Sequence, residues 1–237
     1  MNDPRPLYER AADQFASLLK TVTPERLGDP TPCTEFDVRA LLSHVVGGTH
    51  RIATIGEGGD GLAVPARVDG VADDGWTTAY EEARRRFTAA WADDAKLSRL
   101  VAVPWAAELP GAAAVGGYVM ETVTHTWDLS QALGHPMALD EELAKVILPI
   151  AQQVLPADSR GEGVPFAAVQ EAPEGADAYR RLASWWAAPR NGMSPPTRPY
   201  ASSRRAARWV RRVCQEASRS STSMSRGPVW VRIRRGP

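Results

Sequence analysis

Apolar residues return every three to four positions along most of the first 135 residues. Leu7, Ala11, Phe15, Leu18 and Leu19 share one face and predict a helix over about 4–20, with Pro24 beyond its end. Val38, Leu41, Leu42, Val45, Val46, Thr49 and Ile52 mark a second stripe over about 36–54. Thr34 reads as its cap, with Asp37 completing a capping box. Gly56, Gly58, Gly59 and Gly61 close it and open a loop to about Gly70. Trp76, Tyr80, Ala83, Phe87, Ala90 and Trp91 predict a third helix over about 73–93, with Glu81, Glu82, Arg84, Arg85 and Arg86 on its wet face. Val115, Tyr118, Val119, Met120, Val123, Trp127, Leu129 and Leu133 give a fourth, over about 114–133, apolar on nearly all sides as the centre of a bundle should be.

The fold class this pattern implies is all-α: a four-helix bundle over 1–135, joined by long crossings, with additional C-terminal helices. Two of these, near 140–155 and 176–187, make a helical extension over 136–190 that packs on the bundle. Residues 95–113, with Pro104 and Pro110, read as a connection, and no strand pattern is apparent before residue 194.

Composition adds location and organisation. No apolar run approaches the roughly 18 residues that span a bilayer. The first 25 residues carry Asp3, Glu9 and Asp13 without a continuous apolar block, so no secretory signal and no membrane are expected, and the cytoplasm is the expected location. Cys33 and Cys214 are too few and too far apart for a disulfide framework or a zinc ribbon. A net charge of zero hides an acidic body, 17 Lys/Arg against 27 Asp/Glu over 1–193, and a basic remainder with 11 Arg and one acid, Glu216. This Arg/Ser/Pro-rich tail, 191–237, is expected to be disordered. It could touch nucleic acid or an acidic membrane, dock on the acidic body, or be frame-shifted text of a GC-rich gene. The last reading is preferred, so nucleic acid is not an expected partner. The oligomeric state stays open.

Candidate chemistry rests on few residues. The four histidines are His44, His50, His125 and His135. His125 follows Glu121 by four positions, so both project from one helical face. His44 lies mid-way along the second helix beside its apolar stripe. Two imidazoles and a carboxylate form a three-ligand set suited to zinc or another first-row metal, although Glu-xxx-His is also a common surface pair. His50, beside Arg51, reads as exposed, and His135 as a helix-end residue. Cys33 reads as a small buried hydrophobe, and Trp127 as bundle packing before a substrate platform. Asp128 either orients a metal-bound imidazole or faces solvent.

Two longer stretches narrow the choice. Pro30-Thr-Pro-Cys-Thr-Glu-Phe-Asp-Val-Arg-Ala-Leu-Leu-Ser-His-Val-Val-Gly-Gly48 and Glu121-Thr-Val-Thr-His-Thr-Trp-Asp-Leu-Ser-Gln-Ala-Leu-Gly134 resemble the two motifs of the actinobacterial mycothiol-dependent maleylpyruvate isomerase family, within the DinB/YfiT-like superfamily. The resemblance covers roughly residues 5–190. It implies a metal held by His44, Glu121 and His125, with Zn2+ first among divalent ions. It also implies mycothiol or another low-molecular-weight thiol as cofactor, a small-molecule substrate, and isomerase or S-transferase chemistry. The alternative is a non-catalytic metal-binding DinB-like module. Residues 194–237 depart from the family and do not align with the isomerase's further, substrate-binding domain.

Overall fold

A computed structural model of the chain describes residues 3–33, 36–104, 106–154, 156–159 and 168–186. The basic tail, and every reading of it, lies outside these residues. Helix α1 spans Arg5–Leu19, α2 Val38–Glu57, α3 Trp76–Ala90 and α4, a single turn, Ala95–Ser98. Strands β1, Leu100–Val103, and β2, Ala106–Pro110, lead into α5, Gly111–Ala132; α6, Glu141–Val154, and α7, Ala178–Trp186, complete the described chain.

Helices α1, α2, α3 and α5 form the bundle, with α2 packed along α3, α1 along α5, and α2 also against α5. Their stripes supply the core. Tyr8, Phe15, Leu18, Leu41, Leu42, Tyr80, Phe87 and Leu129 are all buried, and Tyr8 stacks on Phe87 with ring centroids 3.7 Å apart. Helices α6 and α7 pair with each other and rest on α5. Gln14 of α1 ties them down: its side-chain amide donates to the Tyr179 hydroxyl at 2.5 Å and its carbonyl accepts the backbone N–H of Asp140. The architecture is therefore mostly helical, and no helix among the described residues is long and apolar enough to cross a membrane.

Two expectations are corrected. Residues 95–113 are not a plain connection: β1 and β2 form an antiparallel hairpin, pairing Val101 with Leu109 and Val103 with Ala106 across an irregularity. Val101 and Val103 point inward while Leu100 and Ala102 face out. That alternation is invisible in the sequence because all four positions are apolar. The cap of α2 is also Asp37 itself, whose Oδ1 accepts the Ala40 N–H at 2.8 Å, so the helix starts later than a Thr34 cap would have it. Thr34 lies outside the described residues.

Candidate metal centre

The site forms where α2 and α5 cross. Tyr118 sets their spacing, with its hydroxyl donating to the Val45 carbonyl at 3.0 Å and meeting Thr49 Oγ1 at 2.5 Å. The ring fits because residue 48 is glycine, since a Cβ there would lie 3.3 Å from it. One residue earlier, a Cβ on Gly47 would lie 2.8 Å from the backbone of Ala66 and Arg67. The loop after α2 therefore lies directly on the helix. Ser43 Oγ donates to the Val68 carbonyl at 2.6 Å, and Arg51 donates from Nε and Nη2 to the Val64 carbonyl at 3.1 and 2.6 Å.

His44, one residue from Val45, and Glu121, one turn past Tyr118, are thereby brought face to face. His44 Nε2 lies 2.7 Å from Glu121 Oε1, and His125 Nε2 lies 3.8 Å from the same oxygen. One ligating atom from each of the three lies within 4.8 Å of the others. The two rings stand edge to face, 5.1 Å apart. Phe36 covers them, 5.2 Å from His44 and 6.5 Å from His125.

Asp128 settles the orientation of His125. Its Oδ2 lies 3.0 Å from Nδ1, and its side chain is only 9% exposed, so it does not face solvent. A carboxylate on Nδ1 takes up that nitrogen's N–H and leaves Nε2 turned toward the cluster as the atom a metal would use, as it does in metal-bound histidines. Side-chain exposures of 22% for His44, 14% for His125 and 37% for Glu121 leave the cluster accessible from one side.

Burial works against charge on Glu121, but hydrogen bonds from His125 and His44 outweigh it and hold the carboxyl far below its usual range. Burial likewise opposes charge on His125, yet its bonds to Asp128 and Glu121 raise it to about 9. Two imidazole nitrogens and one carboxylate oxygen suit zinc and its neighbours. The 2.7 Å His44–Glu121 and 3.8 Å His125–Glu121 separations place the three donors close enough that one ion would be held by all of them.

Glu121 and His44 open into a pocket. Gly48, Arg51, Ile52 and Ile55 of α2 form one wall, Tyr118 another, and Ala66 and Pro104 close the rim. Arg51 is a site residue that sequence reasoning misses, though a signal exists: positions 44, 48, 51, 52 and 55 recur at helical spacing. Phe36 is another, although it stands inside the first of the two motifs.

The remaining candidates lie elsewhere. His50 is half-buried, not exposed, and faces Arg86 of α3 at 3.5 Å. Six positions from His44, it emerges on a different side of the helix. His135 is an exposed helix-end residue with φ of 60°. Cys33 is half-buried and outside the ligand cluster. Trp127 packs partly buried against the core.

Comparisons with known proteins find relatives in sequence and in fold. The sequence matches the family described as mycothiol maleylpyruvate isomerase N-terminal domain over residues 8–130, a span that contains Phe36, His44, Glu121, His125 and Asp128. Uncharacterised proteins from two strains of Mycobacterium tuberculosis are each 33% identical over 183 residues, covering 77% of this chain and 96% of their own. A crystal structure of the mycothiol-dependent maleylpyruvate isomerase superposes with a TM-score of 0.53 at 15% identity, over 68% of this chain and 71% of that one. A histidine-to-alanine mutant of the same enzyme gives 0.53 at 16% identity, over 67% and 72%. At such identity the likeness is one of fold.

Proposed function

The chain belongs to the mycothiol maleylpyruvate isomerase N-terminal domain family, and from that premise we propose that it is a metal- and thiol-dependent enzyme, an isomerase or S-transferase acting on a small electrophile. His44, Glu121 and His125 hold the ion, with zinc as the first candidate. The observation that carries this reading is the convergence of their ligating atoms within 4.8 Å beside a pocket. The donor set fits, because Asp128 engages His125 at Nδ1 and leaves Nε2 facing Glu121 and His44.

When bound, the ion would supply Lewis acidity that keeps a low-molecular-weight thiol such as mycothiol in its reactive thiolate form. The chain's own residues do the rest. His44 and His125 would each present Nε2 to the ion and Glu121 a carboxylate oxygen. Asp128 keeps the His125 ring from turning. Phe36 shields one side of the two imidazoles, and Ile52, Ile55 and Tyr118 offer apolar walls to whatever enters from the other.

The test has two steps. Metal content of the purified full chain, measured by plasma mass spectrometry, should approach one ion per chain. His44→Ala and His125→Ala should abolish it, and His50→Ala should leave it intact. Thiol-dependent turnover of maleylpyruvate or a model electrophile is then assayed with mycothiol. Metal bound by both alanine variants at wild-type stoichiometry would sink the site. Stoichiometric metal without turnover would turn the reading to a binding module.

A further inference from the structure

Among the described residues the arginines fall into two groups, those that end on a carboxylate and those that, like Arg51, Arg67, Arg85, Arg99, Arg180 and Arg181, do not. Six arginines, Arg5, Arg10, Arg26, Arg39, Arg84 and Arg86, end on carboxylates within 4.0 Å. The two beside the candidate metal centre make no ion pair among the described residues. Arg67 lies over the Phe36 ring, with Cζ 4.8 Å from its centroid. Arg51 lines the pocket itself, and its only hydrogen bonds among the described residues, from Nε and Nη2, go to one backbone carbonyl, that of Val64. Nη1 has no partner among the described residues. Burial lowers the pKa of this guanidinium, and the charge acting in the opposite direction is Glu121.

A cation kept at a pocket wall of the acidic body, oriented by a backbone tether and left without a carboxylate, is built to receive one. A guanidinium offers paired N–H donors that match a carboxylate's two oxygens, and its tether removes much of the ordering cost. Glu121 does not fill that role, for it makes no ion pair with Arg51 and turns Oε1 to His44 and His125 instead. A divalent ion at the triad would offset the one negative charge that acts on Arg51. The pocket would then be net positive, with Arg51 on one side, the ion on another, and Ile52, Ile55 and Tyr118 between them.

We propose that Arg51 is a specificity-determining residue whose guanidinium binds a carboxylate of the small molecule that the pocket takes. The assignment rests on the reading of the site as a metal- and thiol-using centre. It adds the residue of this chain that selects a carboxylate-bearing ligand over a neutral one. Neutral analogues of the same shape are excluded by energy, not by size, because they leave the Arg51 donors facing an amide or ester they match poorly.

The experiment uses the full chain loaded with cobalt(II), and two pairs of probes, mercaptoacetate with mercaptoacetamide and 3-mercaptopropionate with 3-mercaptopropionamide. Calorimetry gives each dissociation constant, and the cobalt–thiolate charge-transfer band reports separately whether sulfur reaches the metal. In the wild type at least one acid should bind about tenfold or more tightly than its amide. Arg51→Gln should reduce that preference to within about twofold while cobalt content stays the same, and comparison with wild type cancels the different thiol acidities. Should Arg51→Gln melt early because Val64 loses its tether, Arg51→Lys decides: it keeps the charge, loses the fork, and should lose at least about a third of the logarithmic preference. No acid preference in the wild type, or one undiminished in both variants, overturns the proposal whether or not the band appears. An Arg51-dependent preference without any band upholds it and instead sinks the metal–thiol reading.

Discussion

Asp128 shows how much of a site can depend on a residue that would touch no ligand. It is nearly buried, three positions from His125, and its carboxylate engages that ring's Nδ1. Three positions on a helix bring two side chains within reach but do not say whether they turn toward each other. Asp128→Asn keeps the volume and can still contact the ring, but it removes the charge that engages Nδ1. The expected result is a loss of about 10–100-fold in metal affinity, read by competition with a chromogenic chelator, with little change in melting temperature. An unchanged affinity would make Asp128 a structural residue only. His125 and Glu121 announce themselves as a pair at helical spacing. His44 does not, since one histidine beside an apolar stripe is more often a packed core residue than a ligand.

At the scale of elements, the crossing of α2 and α5 is what converts three residues into a cluster. The Tyr118 hydroxyl bonds hold the two helices together, and the glycines at 47 and 48 allow the loop and the ring to come so close. Gly47→Ala tests the tighter of these approaches. Alanine gains about 0.5–1 kcal/mol in helix propensity, but its Cβ meets backbone atoms 2.8 Å away, and such overpacking costs typically about 1–3 kcal/mol. A net destabilisation of about 1–2 kcal/mol in urea denaturation is expected, and a stabilised variant would show that the loop yields freely. The β1–β2 hairpin belongs to this scale too. Its turn supplies Pro104 to the pocket rim, so the segment that reads as a connection contributes to the site.

At the scale of the molecule, Gln14 joins the bundle to the C-terminal helices. It is 8% exposed, and it meets both Tyr179 of α7 and the backbone just before α6. Gln14→Leu fills similar space but strands a buried hydroxyl and a backbone N–H. The expected cost is about 2 kcal/mol or more, measured by thermal or urea unfolding. If 1–135 and 136–190 instead behave as independent units, two transitions should appear in that experiment, and the variant should move only one. The basic remainder is tested by ending the chain after residue 193. All contacts described for the bundle, α6 and α7 are made without it, so the shortened protein should keep the full chain's melting temperature and metal content. A shortened chain that aggregates would assign the remainder a structural role.

The sequence by itself determined the helices and one pair of candidate ligands. Period and capping are local properties, so the stripes from Leu7 to Leu133 place α1, α2, α3 and α5 within a few residues, and Glu121 and His125 share a face by spacing alone. The two longer motifs added His44 and the family. Only the tertiary structure decided the rest. A hairpin whose residues are apolar on both faces carries no alternating signal, so the inward turn of Val101 and Val103 depends on the helices beneath them. The direction in which Asp128 points, the half-burial of His50 against α3, and the exposure of Arg51 to the pocket are set by neighbours far away in the chain. Those neighbours determine which side of each helix meets solvent, and no count of residues between two positions contains that information.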